Sequence, residues 1–160
     1  MQITAHNIHL TIDGRDILNK VSVDVPSGTS VAITGPSGSG KTTLLNAILA
    51  EISALDERVV TIEDTKELKC TAENYVALST TDTVDMDNLL RKTLRLSPNR
   101  IVVGEVRGKE ALTLIDAWST GHRGGCSTVH SDSARDTLFR LEDLVSRVSI
   151  SSQQAGIARA

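Results

Sequence analysis

The residues best suited to do chemistry are Gly35-Pro36-Ser37-Gly38-Ser39-Gly40-Lys41-Thr42, which place glycines, a lysine and a hydroxyl at the spacing GxxxxGK[ST]. Glycines let a backbone curl until its N–H groups point inward, the geometry that wraps phosphate oxygens. A helix beginning near Lys41 would add the positive end of its dipole to that attraction. Lys41 is then the group that reaches the β and γ phosphates of a nucleoside triphosphate, and Thr42 supplies a hydroxyl to Mg²⁺. Gly35, Pro36, Ser37, Gly38, Ser39, Gly40, Lys41, Thr42 and Thr43 are therefore the candidate nucleotide-binding residues, with Lys41 also a candidate catalytic group.

A phosphate chain also needs groups that manage water and metal. In an open parallel sheet, ligands collect beyond the carboxyl ends of the strands. Three apolar runs end in polar residues: one at Glu63-Asp64, one at Glu105, and one at His130. A carboxylate beside the γ-phosphate can hold Mg²⁺ through water or orient the attacking water, and Glu63 and Glu105 could divide those roles. Each would otherwise be a solvated strand-end charge. His122 and His130 could donate hydrogen bonds to the γ-phosphate or relay its state, and a plain exposed loop histidine is the competing reading. Arg91 and Arg95, one turn apart, could neutralise phosphate charge or simply face solvent on a helix.

The elements that must position these groups are legible in the periodicity. Gln2 to Ile12 and Ile17 to Val25 alternate apolar and polar residues around Asp13-Gly14, which predicts an antiparallel hairpin. Ser30 to Thr34 is a short strand running into the glycine-rich loop. Leu44, Leu45, Ile48, Leu49 and Ile52 then fall on one face at helical spacing. Arg58 to Ile62 reads as a buried strand, and the polar stretch Thr65 to Asp82 holds candidate short strands at Glu67 to Cys70 and Tyr75 to Leu78. Met86 to Leu94 returns to helical spacing and is closed by Pro98. The rest reads as a strand at Arg100 to Val103, a helix from Lys109 to Ser119, a strand at Cys126 to Val129, and an amphipathic helix with Ala134, Leu138, Leu141 and Val145 inward. Strands alternating with helices predict an α/β fold with a mostly parallel sheet flanked by helices, preceded by an antiparallel β-hairpin.

Composition narrows the partners. A chain of 160 residues fits one domain of the usual ~100–200 residues. With 39% hydrophobic and only 2% aromatic residues, the core is aliphatic and stacking surfaces are scarce. A formal charge of -3 speaks against a general nucleic-acid binder, which needs clustered Lys and Arg. Cys70 and Cys126 form neither a metal pattern nor a disulfide framework, so a reducing cytoplasm is the expected setting. No run of about 18 apolar residues is present, so a membrane is expected only as the site of a peripheral complex.

From about residue 32 onward the chain resembles the hexameric traffic ATPases of type IV secretion and conjugative transfer. The resemblance is carried by the phosphate loop, by Val59-Val60-Thr61-Ile62-Glu63-Asp64-Thr65 with Glu67, Leu68 and Cys70, and by Leu89-Leu90-Arg91-Lys92-Thr93-Leu94-Arg95-Leu96. Arg100 to Gly108, with glycine before Glu105, and Thr120-Gly121-His122 through Thr128-Val129-His130-Ser131 complete it. It implies a P-loop NTPase (RecA/ABC-like) fold and ATP with Mg²⁺ as ligands. It implies that Glu63 positions or activates water, that Glu105 organises Mg²⁺ and water, and that His122 and His130 report phosphate occupancy. It also implies a homo-oligomeric ring with ATP between subunits.

The first 50 residues resemble instead the start of an ABC transporter ATPase, with Ile12 where that family places an adenine-stacking ring and no LSGGQ stretch later. The mosaic is that of a hybrid or engineered domain over residues 1–160, with an ABC-like hairpin at 1–30 and a nucleotide-binding core at 31–160 that is short at its C-terminus relative to the traffic ATPases. Three functions follow: an ATPase, a nucleotide-binding module with negligible turnover for want of a neighbour's arginine, or a designed P-loop scaffold.

Overall fold

The computed structural model describes residues 3–26, 31 and 33–157. The hairpin consists of β1 (Ile3–Ile12) and β2 (Arg15–Val25), paired antiparallel with Ile12 opposite Arg15 across the Asp13-Gly14 turn. Both turn residues have positive φ, 49° and 75°, the backbone of a two-residue hairpin loop. The register slips more than once along the pair, so its two ends twist strongly against each other.

The core sheet contains β3 (Ile33–Gly35), β4 (Val59–Glu63), β5 (Tyr75–Ser79), β6 (Arg100–Val106) and β7 (Cys126–His130), in the spatial order β3-β7-β6-β4-β5 and parallel throughout. The expected strand at Ser30 to Thr34 is seen as Ile33–Gly35, with Ser30 and Ala32 outside the described residues. Helices α1 (Lys41–Ser53), α2 (Met86–Thr93), α3 (Glu110–Ser119) and α4 (Ala134–Ile157) join and flank the strands. Parallel neighbours require such crossovers, which is why apolar runs and helical periodicity alternate along the chain.

Both faces of the sheet are covered. Leu45, Ile48, Leu49 and Ile52 of α1 pack with Val59 and Val102 on one side. Val60, Ile62, Ile101, Val103, Val106 and Val129 pack with Leu90, Leu114 and Leu144 on the other. Each such side chain contributes roughly 1.5–3 kcal/mol by leaving water. The aliphatic composition suffices because the strands are short and buried on both faces.

Three local expectations change. Glu67 to Cys70 is no strand; it is a loop tied to α1, with Asn46 Nδ2 donating to the Glu67 carbonyl (3.0 Å) and the Lys69 amide donating to Asn46 Oδ1 (2.8 Å). Strand β6 continues past Gly104-Glu105 to Val106. In α4, Leu138 is 67% exposed and Ala134 is also outward, whereas Thr137 and Leu144 are buried. Thr137 turns inward because its hydroxyl is hydrogen-bonded to the Ser133 carbonyl (3.0 Å) and to the Ser131 hydroxyl, which rotates the helix away from its purely apolar stripe.

At the amino ends of the strands, Arg100 is fully buried, paired with Glu57 and donating to the Gly124 carbonyl at 2.6 Å. The buried pair closes this end of the sheet and fixes the loop before β7. Cys126, beside it, has its thiol pushed up to about 12 by burial, so it stays protonated and inert.

Candidate functional site

The carboxyl ends of β3, β4, β6 and β7 open into a cleft of about 600 Å³ whose lining includes Ser37, Lys41, Thr42, Glu63, Glu105 and His130. Those four segments are far apart in sequence. The parallel topology alone brings their carboxyl ends to one edge.

The loop after β3 is curled as the spacing requires. Gly38 and Gly40 have φ of 77° and 87°, conformations costly for any residue with a side chain. The Ser39 amide donates to the Pro36 carbonyl (3.2 Å), closing the turn, and a Cβ on Gly35 would meet Ser39 Oγ at 2.6 Å. Lys41 Nζ donates to the Gly35 carbonyl (2.8 Å) and the Pro36 carbonyl (3.0 Å). The ammonium thus rests on neutral oxygens of its own loop, weaker partners than a phosphate.

The amino end of α1 fits an anion. Its cap is Gly40 with no side-chain hydrogen bond, and no acidic residue occupies its first turn. By contrast α2 is capped by Asp85, whose carboxylate accepts from the Asn88 amide at 2.8 Å, and α3 carries Glu110 in its first turn. A helix start that lacks its own acceptor, inside a glycine loop and beside a lysine, leaves its amides free to meet an anion. The donor set of Thr42 and nearby carboxylates is likewise the hard-oxygen set that Mg²⁺ takes.

Glu63 is 5% exposed at the end of β4, and its Oε1 accepts from the amides of Glu67 (3.0 Å) and Leu68 (2.9 Å). Those bonds hold the carboxylate in one orientation against β6. Glu105 lines the cleft more openly, with Arg107 Nε 3.6 Å from its Oε2. Arg107 also pairs with Asp64, so one guanidinium ties together the acidic residues at the ends of β4 and β6. Arg107 lies within the stretch Arg100 to Gly108 but was given no role by the sequence; its signal there is a cation two residues beyond Glu105.

His130 lies on the cleft, whereas His122 does not. His122 precedes β7, at the amino edge of the sheet opposite the phosphate loop, where its Nδ1 lies 3.0 Å from the Pro98 carbonyl and its amide donates to the Ala117 carbonyl at 3.1 Å. The two histidines are separated by the length of a strand, so within one chain His122 supports the Arg100 end of the fold and cannot reach the cleft that His130 lines. Arg91 is likewise turned away, paired with Asp87 one turn earlier at 3.0 Å, and α2 leads it and Arg95 away from the cleft that Met86 touches.

The hairpin supplies the remaining wall. Ile12 and Ile17, 49% and 37% exposed, line the cleft, and Ile17 and Leu18 are the side chains nearest Gly40. Beyond Arg107 a smaller hollow of about 390 Å³ shares Asp64 and Met86. Its charges are already matched: Lys109 Nζ sits 2.8 Å from Asp85, which lowers the Asp85 carboxyl pKa and raises that of the lysine, chiefly through their hydrogen bond.

Residues 9–159 match the family described as "Type II/IV secretion system protein". The match takes in most of the hairpin, the segment for which the sequence alone suggested an ABC-type opening. The conjugal transfer protein TrbB of Rhizobium radiobacter is 53% identical over 138 residues, covering 85% of this chain and 43% of that protein. The type IV secretion system protein PtlH of Bordetella pertussis is 44% identical over 125 residues, covering 73% of this chain and 37% of that protein. This chain therefore spans about two fifths of the length of these relatives. The crystal structure of the VirB11 ATPase from the Brucella suis type IV secretion system, in complex with sulphate, superposes with a TM-score of 0.65 at 38% identity, covering 71% of this chain and 34% of that one. With its α/β parallel sheet, glycine-rich loop and strand-end carboxylates, this chain belongs to the type II/IV secretion system protein family.

Proposed function

We propose that this chain is the nucleotide-binding core of a secretion or conjugation ATPase and hydrolyses ATP with Mg²⁺. The observation that carries this reading is the amino end of α1, uncapped and free of acidic residues, facing the same cleft as Lys41, Glu63 and Glu105. The loop amides and the helix start bind the phosphate chain. Lys41 leaves the carbonyls of Gly35 and Pro36 for the β and γ phosphates. Thr42 and Glu105 would hold Mg²⁺, and the ion would supply positive charge to offset that of the phosphate oxygens. Glu63, clamped on Oε1 by the amides of Glu67 and Leu68, keeps Oε2 to orient the attacking water. His130 is placed to donate a hydrogen bond to the γ-phosphate.

Among the described residues the cations lining this cleft are Lys41 and Arg107, and Arg107 is paired with Asp64 and Glu105. That favours a second reading in which the isolated chain binds nucleotide and turns over slowly, its transition-state cation supplied by a neighbour in a ring. Phosphate release measured across protein concentration separates the two: specific activity rising with concentration supports assembly, and flat, vanishing activity with intact binding supports the binder. We read all 160 residues as one nucleotide-binding unit, working in the reducing cytoplasm that its free thiols suit, at the periphery of a membrane complex. Among the described residues no helix is long and apolar enough to cross a membrane.

Glu105→Gln tests the division of labour. It keeps size and hydrogen bonding while removing the charge, so turnover is expected to fall about 100-fold with ATP affinity in calorimetry nearly unchanged. Wild-type turnover in this variant would remove Glu105 from the mechanism.

A further inference from the structure

Side chains in a regular strand alternate between faces. In β6, Val102 packs on the α1 side, and Ile101 and Val103 pack on the side of α2, α3 and α4. Strict alternation would carry Glu105 to the side of Val103, away from the phosphate loop, and would turn Val106 toward α1. Neither occurs. The register of β6 against β7 shifts between Val103, opposite Ser127, and Glu105, opposite Thr128. One extra residue, Gly104, is absorbed there as a bulge. Val106 then falls opposite Val129 and joins the α2–α4 core, while Glu105 returns to the face that carries Glu63, Gly104 and Thr128, all of which line the cleft.

Two contacts make the bulge fit. A Cβ on Gly104 would lie 3.1 Å from Glu63 Cγ and 3.4 Å from Glu63 Oε1, so the Glu63 side chain covers the place that a side chain at 104 would fill. Thr128 Oγ1 donates to the Gly104 carbonyl at 2.7 Å, giving a partner to an oxygen at the disrupted step of the ladder.

We propose that the Gly104 bulge, locked by the Thr128 hydroxyl, is the positioning device that sets Glu63 and Glu105 on the phosphate-loop face of the sheet. Gly104 and Thr128 are positioning residues, acting through the two carboxylates; the inference rests on the ATPase reading above. A side chain at 104 presses on Glu63 and shifts it by a few tenths of an ångström against the amides of Glu67 and Leu68, loosening those bonds, and loss of the Thr128 hydroxyl frees the carbonyl that holds the bulge.

Hydrogen exchange of the nucleotide-free protein and steady-state kinetics test this together. In Gly104→Ala, the Glu67 and Leu68 amides are expected to exchange about tenfold faster while the β4 and β6 core amides are unchanged. Thr128→Val is expected to lower kcat about tenfold with KM for ATP unchanged, and Thr128→Ser to restore it. Unaltered exchange at Glu67 and Leu68 in Gly104→Ala, or a Thr128→Val enzyme with wild-type kcat, overturns the proposal. If the wild type itself releases no phosphate, the ATPase reading falls, and exchange at Glu67 and Leu68 still decides whether Gly104 sets Glu63.

Discussion

Replacing Lys41 with alanine is expected to weaken ATP binding by at least about 100-fold and to reduce phosphate release about 1000-fold, to background. The side chain starts from a definite place: its ammonium donates to the carbonyls of Gly35 and Pro36. Both acceptors are neutral, and a triphosphate offers charged oxygens instead, so the exchange of partners favours the nucleotide. Removing the lysine costs the empty fold little, because Pro36 keeps the Ser39 amide and the loop faces water. Thermal unfolding of Lys41→Ala without ligand should therefore match the wild type to within about 1 kcal/mol, which separates lost binding from lost structure. Lys41→Arg should not rescue, since a planar guanidinium does not replace a compact ammonium in a loop closed around it. Calorimetric titration with ATP and ADP checks the prediction, and an unchanged ATP affinity would remove the premise of the nucleotide site.

The glycine-rich loop, α1 and the strand-end carboxylates were legible in the sequence because each is a local pattern: a spacing, a helical stripe, an apolar run that stops at an acid. What escaped was set by tertiary geometry. The apolar run reads as a strand that ends at Val103, and nothing local announces that β6 continues to Val106 with Gly104 as an extra residue that turns Glu105 to the other face. His122 and His130 look like one motif because they are close in sequence, but β7 runs between them and carries them to opposite edges of the sheet. Thr137 displaced Leu138 from the interior because hydroxyl partners at Ser131 and Ser133 outweighed a stripe of apolar residues. Arg107 became visible only when β4 and β6 lay side by side, placing Asp64 and Glu105 within reach of one guanidinium.

The largest effect on stability is expected at the other edge of the sheet, from Gly125→Ala. A Cβ at 125 would overlap both the Ile101 carbonyl oxygen and the indole nitrogen of Trp118. Trp118 Nε1 lies 3.4 Å from that same carbonyl, so the added methyl enters the gap where the ring of α3 meets the backbone of β6. The oxygen belongs to Ile101, a fully buried residue, and the ring is packed against the core, so relief must come from moving the start of β7. That strand is fixed on the same side by the buried Arg100, which holds the Gly124 carbonyl. Overpacking of this kind costs about 3 kcal/mol, and for a chain of this size that lowers Tm by about 6–12 °C. Trp118 is the single tryptophan, so its fluorescence reports the disturbance directly and should change in the folded state before any unfolding begins. Because β7 carries Thr128 and His130 to the cleft, a shifted β7 should also raise the concentration of ATP needed for half-saturation. A Gly125→Ala protein with unaltered Tm and unaltered tryptophan emission would mean that β6, β7 and α3 are packed less tightly than these contacts require.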